Sequence, residues 1–310
     1  SETGYCELLN VYVDFIQSVG EALKFRQQVI STAIVYFRRF YVKNSLEDVH
    51  PLIIAPSATL LSSKIEEYSV MSCNRVLTAC STVAKSSKFL SLLQFSDFTL
   101  YQNDILDCEF FLVELMDCSL LVYHPYRPFF RFLREINNIN NPTPAPKPVE
   151  RPYTGEKSMV VSPSEESNPP YELRQGTGTS KCAQNVLGTA LSAVLAKMRG
   201  QDDSGDKKTY DEMYSIAWSF LNESYRTDVP LLFAPHEIAI AAILVGVSHS
   251  KADISSWLST LNFDMEKVFE AMFMVLKASS CAAHRNRQQL AKLISRLSKS
   301  LVNEVVPPSM

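Results

Sequence analysis

The sequence contains no CxxC pair. Its seven cysteines, at 6, 73, 80, 108, 118, 182 and 281, are odd in number and sit mostly among apolar residues, as in ILDCEFF. That is how small buried hydrophobes are used in a reducing compartment, and it supplies neither zinc-ligand spacing nor a disulfide framework. The five histidines, His50, His124, His236, His249 and His284, form no HxxxH or Cys/His grouping, so no metal is expected. GxGxxG, GxxxxGKS/T and GxSxG elements are missing as well. Without a nucleotide loop or a nucleophile elbow, neither a cofactor nor a catalytic residue is expected, and the chain reads as a non-enzyme.

Basic excess is also lacking. The net charge is −3 and the pI near 6.0, so a nucleic-acid backbone is not the expected partner. The longest clean apolar run, IAIAAILVGV at 238–247, is half of what a bilayer crossing needs, and SETGYCELLN has no basic start or cleavage-site pattern. No membrane or secretory role is expected, and the cysteine usage points to the cytosol or nucleus.

What is present is helical periodicity. With 310 residues and 46% hydrophobic composition, the chain can give two ordinary domains a core each. Val29, Ile30, Ala33, Ile34, Phe37, Phe40 and Tyr41 recur at steps of three and four, which predicts a core-facing helix. In HPLIIAPSATLLSSKIEE, Pro51 marks a helix start, and Ala55, Ser57, Ala58, Ser62 and Ser63 put small residues on several faces, as a central bundle helix needs. Pro56 is expected to bend that helix or to mark its true start. NDILDCEFFLVELMDCSLLVYHPYRP opens on an Asn/Asp cap signal, is apolar almost all round apart from Glu109 and Glu114, and ends at two prolines where a new unit begins. Helical patterning resumes from about 209, so the whole is expected to be all-α in two bundles.

Between them the composition changes. Residues 137–208 hold eight of the sixteen prolines and six of the nine glycines, which predicts a largely disordered insertion. Within it, CAQNVLGTALSAVLAKMRG (182–200) has enough periodic Leu, Val and Ala for an amphipathic helix. Thr143-Pro144 and Ser162-Pro163 fit what proline-directed kinases modify, and equally what chance places in a proline-rich tract. HRNRQQLAKLISRLSKS (284–300) is basic and amphipathic and is expected to pack its Leu and Ile residues on the second bundle.

Four segments together resemble the cyclins, and within them the cyclin C branch: LKFRQQVISTAIVYFRRFYVKNSLEDVHPLIIAPSATLLSSKIEE (23–67), ILDCEFFLVELMDCSLLVYHPYRP (105–128), AWSFLNESYRTDVPLLFAPHEIAIA (217–241) and DMEKVFEAMFMVLK (264–277). The resemblance implies two five-helix cyclin boxes in tandem, each built around its third helix, the second interrupted by the Pro/Gly-rich insertion. The expected divisions are 1–121 for the first box, 122–136 for the first helix of the second, 137–208 for the insertion, 209–281 for the remainder and 282–310 for a basic amphipathic tail. Added length between two helices costs little closure entropy.

The resemblance also implies a role. A cyclin docks beside the mobile helix of a cyclin-dependent kinase and favours the arrangement that completes the kinase's Lys–Glu pair. The lysine ending the box's third helix and a glutamate of its fifth carry that contact in the family; the matching residues are Lys64 and Glu109. Leu61 and Val113 match the groove floor, and Glu66 and Glu67 are secondary candidates. Taken alone, Lys64 with Glu67 at i,i+3 is what any solvated helix end displays.

The implied partner is the kinase of the Mediator kinase module, in the nucleus, with other Mediator subunits on box two and the insertion. Alternatives are another transcriptional cyclin, of the H or T type, or a cyclin-fold adaptor that binds DNA and protein. Departures from the family are visible too. LLNVY (8–12) stands where cell-cycle cyclins carry a substrate-docking MRAIL-type segment. Arg38 stands where many have an aspartate, so the familiar Arg–Asp pair between the first two helices is not expected. Nothing before SETGYCELLN supplies the extra helix with which cyclin C proteins add kinase contacts, as in a fragment of a longer chain.

Overall fold

Residues 2–69, 71–93, 101–140, 206–250, 253–283, 291–292 and 294–295 are described by a computed structural model, and none of them forms a strand. The first bundle comprises α1 (Glu2–Ala22), α2 (Gln27–Lys43), α3 (Pro51–Ile65), α4 (Cys73–Ala84), the single turn α5 (Leu90–Leu93) and α6 (Gln102–Leu115). The second comprises α7 (Tyr126–Asn140), α8 (Asp206–Ser224), the turn α9 (Val229–Leu232), α10 (Pro235–Ser250), the turn α11 (Ser255–Leu258) and α12 (Met265–Ala283).

Helix α3 is the axis of the first bundle, packed by α1, α2, α4 and α6. It is buried on every side, from Pro51 to Ser63 with the exception of Ile53. A helix so enclosed must satisfy its hydroxyls locally, and it does: Thr59 donates to the Ala55 carbonyl (2.7 Å), Ser62 to Thr59 (3.0 Å) and Ser63 to Leu60 (2.7 Å). Ser57 donates to Ile53 and also reaches the Ile105 carbonyl of α6 at 3.2 Å. The helix begins at Pro51, where a missing N–H costs nothing, and His50 Nδ1 accepts the Leu52 N–H at 3.1 Å. Pro56 therefore does not mark the start; it lies inside the helix.

The predicted face of α2 is buried throughout. Helix α6 starts at Gln102, with Tyr101 rather than Asn103 or Asp104 as its cap; Asp104 instead reaches back from the first turn to accept the Tyr101 N–H at 3.3 Å.

Helix α10 plays the part of α3 in the second bundle, against α8 and α12. Gly246 permits the approach of α8, since a Cβ there would stand 2.6 Å from the Met213 carbonyl oxygen. Phe129 of α7 packs against Tyr214 and Trp218 of α8, and Phe132 lies edge-on to Trp257 of α11. The fourth helix of this bundle is thus only the turn α11.

Two boundaries differ from those expected. Helix α7 runs to Asn140, four residues into the predicted insertion, and α8 begins at Asp206. The sequence signal at the first of these was the proline cluster from Pro142, which lies beyond the helix and not at its end. The chain divides into a unit of 1–136 with 202–310 and a second of 137–201. Thr143, Ser162 and the 182–200 segment lie outside the described residues. Of the tail, Ile294 is fully buried.

Candidate partner-binding site

One residue before its C-terminus α3 emerges from its bundle. Ser62 and Ser63 are buried, Lys64 is not. The Lys64 ammonium sits 2.7 Å from both carboxylate oxygens of Glu109 on α6, joining the two helices at the surface. The lysine side chain is 49% exposed and the glutamate 11%, so the acid is held and the base is presented. Beneath them Leu61 is buried, and Val113, one turn after Glu109, is half-buried.

Next to the pair lies apolar surface. Phe110 is 77% exposed, Phe111 and Ile65 are partly so, and Leu121 and Tyr123 continue the exposed apolar residues along the chain after α6. The aromatic doublet after Glu109 was visible in sequence but blended into an apparently all-round apolar helix. Two adjacent phenylalanines facing water beside an oriented ion pair make a surface suited to a protein partner.

The glutamates that follow Lys64 separate. Glu67 takes the left-handed conformation (φ 48°) that closes α3, with the Tyr68 N–H donating to the Ser63 carbonyl at 3.3 Å. It is exposed. Glu66 turns inward: Oε1 accepts from the Thr32 hydroxyl at 2.6 Å and Oε2 from the Gln28 amide at 2.6 Å. Since the single Thr32 proton goes to Glu66, its oxygen must accept from His124 Nε2–H at 2.8 Å, and His124 Nδ1 then accepts the Tyr225 hydroxyl at 2.6 Å. Burial, with Arg39 acting in the same sense, pushes His124 down to about 4, so the ring is neutral and this tautomer is fixed. Tyr225, His124, Thr32 and Glu66 thus form one directed chain of donors joining the two bundles. His124 thereby stands at a corner between α2 and the segment after α8.

Arg38 forms a second tie between the bundles. The guanidinium, 4% exposed, bonds Asp228 (2.8 Å), the Tyr225 carbonyl (2.9 Å), the Arg226 carbonyl and Asn10 (2.8 Å). Arg226 in turn bonds Asp14 of α1 at 2.5 Å. The family's Arg–Asp pair within the first box is replaced: Asn10 answers Arg38 from α1, and the acid comes from beyond α8. Leu8, Leu9, Val11 and Tyr12, in the stretch matching the substrate-docking segment, are buried.

No group of three or more metal-ligating side chains occurs among the described residues, and none of the described helices is long and apolar enough to cross a membrane. Of the five cysteines whose surroundings are described, Cys73, Cys80 and Cys108 are buried as expected, whereas Cys6 and Cys118 are exposed.

Comparison with known proteins agrees with this architecture. Residues 6–120 match the cyclin N-terminal domain and residues 124–302 the cyclin C-terminal domain. Cyclin-C of Rattus norvegicus is 30% identical over 300 residues, covering 96% of this chain and 82% of the relative. Cyclin-C of Drosophila melanogaster is 30% identical over 301 residues, covering 96% and 85%. Among solved structures, a chain of the yeast TFIIK complex (Kin28/Ccl1/Tfb3) superposes with a TM-score of 0.52 at 20% identity, covering 87% of this chain and 86% of that one. A chain of the yeast RNA polymerase II CTD kinase CTDK-1 gives a TM-score of 0.52 at 14% identity, covering 89% and 66%. Both domain matches and the near full-length likeness to the cyclin C proteins have one meaning: the chain belongs to the cyclin family, whose members are regulatory subunits of kinases and not catalysts.

Proposed function

We propose that the protein is a cyclin C-like subunit that binds and activates a transcriptional cyclin-dependent kinase, with the surface around Lys64 and Glu109 as its kinase contact. One observation carries this reading: the 2.7 Å Lys64–Glu109 pair stands beside the exposed Phe110, with the partly exposed Phe111 next to it. The apolar surface supplies affinity, and the pair supplies register, because a misdocked charge would be left unpaired. Leu61 and Val113 form the floor; Glu67 stands at the edge. Glu66 braces the surface from behind through Thr32 and Gln28.

Activation requires only that the surface fit the active kinase arrangement better than the inactive one. The partner proposed is the kinase of the Mediator kinase module, acting in the nucleus on transcription by RNA polymerase II, with other Mediator subunits on the second box. The likeness of the chain to cyclin C proteins over nearly its whole length supports that choice.

Pull-down and kinase assay of the parent chain against a Lys64→Ala, Glu109→Ala double variant test the reading. Activation by the parent that is lost in a folded variant is the expected result. Equal activation by both would move the contact elsewhere, and no binding by the parent would end the kinase reading.

A further inference from the structure

One turn beyond Lys64 the surface dips into an open recess of about 300 Å³. The start of α2 contributes Arg26, Gln28 and Val29, the end of α3 and its exit turn contribute Ile65, Glu66, Glu67 and Tyr68, and the start of α7 contributes Arg127. Both bundles therefore take part in it.

The hydrogen-bonding capacity of the recess is unevenly spent. Both Glu66 oxygens are taken, by Thr32 and by the Gln28 amide. The Tyr68 hydroxyl donates to the Lys24 carbonyl at 2.6 Å, which fixes the ring, and the Arg26 guanidinium lies over that ring at 5.6 Å. Neither Arg26 nor Arg127 has a carboxylate partner among the described residues, and both are exposed. Two guanidinium forks with no acceptor, one of them held by an aromatic face, fit a carboxylate or a phosphoryl group. Glu66 and Glu67 are the opposing charges of the lining, but both Glu66 oxygens are turned to Thr32 and Gln28. Glu67 is therefore the one facing the guanidinium groups without a bonded donor, and two cations against two anions leave room for no more than one further oxyanion.

We infer that this recess receives one oxyanion-bearing side chain, phosphoryl or carboxylate, of a peptide segment of the protein that docks over Lys64 and Glu109. The inference rests on the proposed function for the identity of that protein, while the chemistry of the recess rests on Arg26 and Arg127.

The test uses the full chain and three labelled peptides of otherwise identical Ala/Ser sequence with a central phosphothreonine, glutamate or threonine, followed by fluorescence anisotropy. The phosphothreonine or the glutamate peptide should bind at least about tenfold more tightly than the threonine peptide, the preferred one naming the source of the oxyanion. Arg26→Ala and Arg127→Ala should each weaken that binding by about tenfold, Glu67→Gln should strengthen it, and Lys85→Ala, just past the end of α4, should leave it unchanged. Equal binding of all three peptides, no binding of any, or indifference to both arginine variants would overturn the inference. A parallel kinase pull-down separates the two claims: failure of the parent chain there would remove the docking reading, whereas the peptide series judges the recess itself.

Discussion

Thr32 donates its hydroxyl to Glu66 at 2.6 Å, and this contact distinguishes two consecutive glutamates of opposite use. Glu66, 15% exposed, belongs to the seam between the boxes; Glu67 belongs to solvent. Glu66→Gln should lower stability by about 1–3 kcal/mol, because an amide can accept from Thr32 or Gln28 but brings a donor to one of them. Glu67→Gln should change it by less than about 0.5 kcal/mol. Urea unfolding of the two variants side by side checks this, and equal effects would contradict the separation.

Arg38 should be the costliest single polar residue to remove. Its truncation to Ala leaves two backbone carbonyls, Asn10 and Asp228 without their cation, for an expected loss of about 3–5 kcal/mol. Asp228→Asn should cost much less, since that side chain is 49% exposed and water can replace part of the contact. Thermal and urea unfolding of both variants measure the difference.

Stability should fall with acid in a defined window. Burial holds His50 and His124 at about 4 in the folded chain, against about 6.5 when unfolded. Both folded pKa values are depressed, so the unfolded state binds the extra protons. The contribution of each ring is complete above pH 6.5, is lost as pH falls toward 4, and changes no further below that. At most about 3 kcal/mol per histidine is at stake. Urea midpoints taken from pH 7 to 4 should show the slope, and His124→Gln should reduce it; an unchanged slope would refute the assignment.

The two helix-contact glycines should respond differently to a methyl group. At Gly246 a Cβ meets the Met213 backbone oxygen at 2.6 Å, and at Gly20 it meets the Ile30 side chain at 2.5 Å. Backbone cannot step aside, so Gly246→Ala should cost about 1–3 kcal/mol, whereas Gly20→Ala should cost less as Ile30 changes rotamer. Melting temperatures of the two variants decide it.

Tyr12 and Tyr214 bury hydroxyls that have no hydrogen-bond partner among the described residues. Replacing either by Phe removes an unsatisfied group without changing shape, so stability should hold or rise by up to about 1 kcal/mol. A clear drop in the unfolding midpoint would reveal a missing partner.

The helices of the first box were legible because α2 keeps a single apolar face in step with the turn, and α3 shows its central place through Ala55, Ser57, Ala58, Ser62 and Ser63. Lys64 and Glu109 were legible only through likeness to a family, since spacing alone paired Lys64 with Glu67. The absence of the Arg–Asp pair between the first two helices was legible, but the partners of Arg38 were not: periodicity reports which face is buried, not that a buried cation finds acceptors 187 to 190 residues away. The opposite orientations of Glu66 and Glu67 follow from one backbone turn at φ 48°, which no side-chain pattern announces.

That separation also has a time in it. A ribosome reaches Asp228 only 190 residues after Arg38, which at about 5–20 residues per second is about 10–40 s of synthesis. Throughout that interval the guanidinium that becomes the most enclosed cation of the seam is an exposed charge on a newborn first box, and Asn10 and Asp14 wait beside it. The first box must therefore fold with its inter-box face wet, and its union with the second is the late event that gives Arg38 its acid and Asp14 its guanidinium.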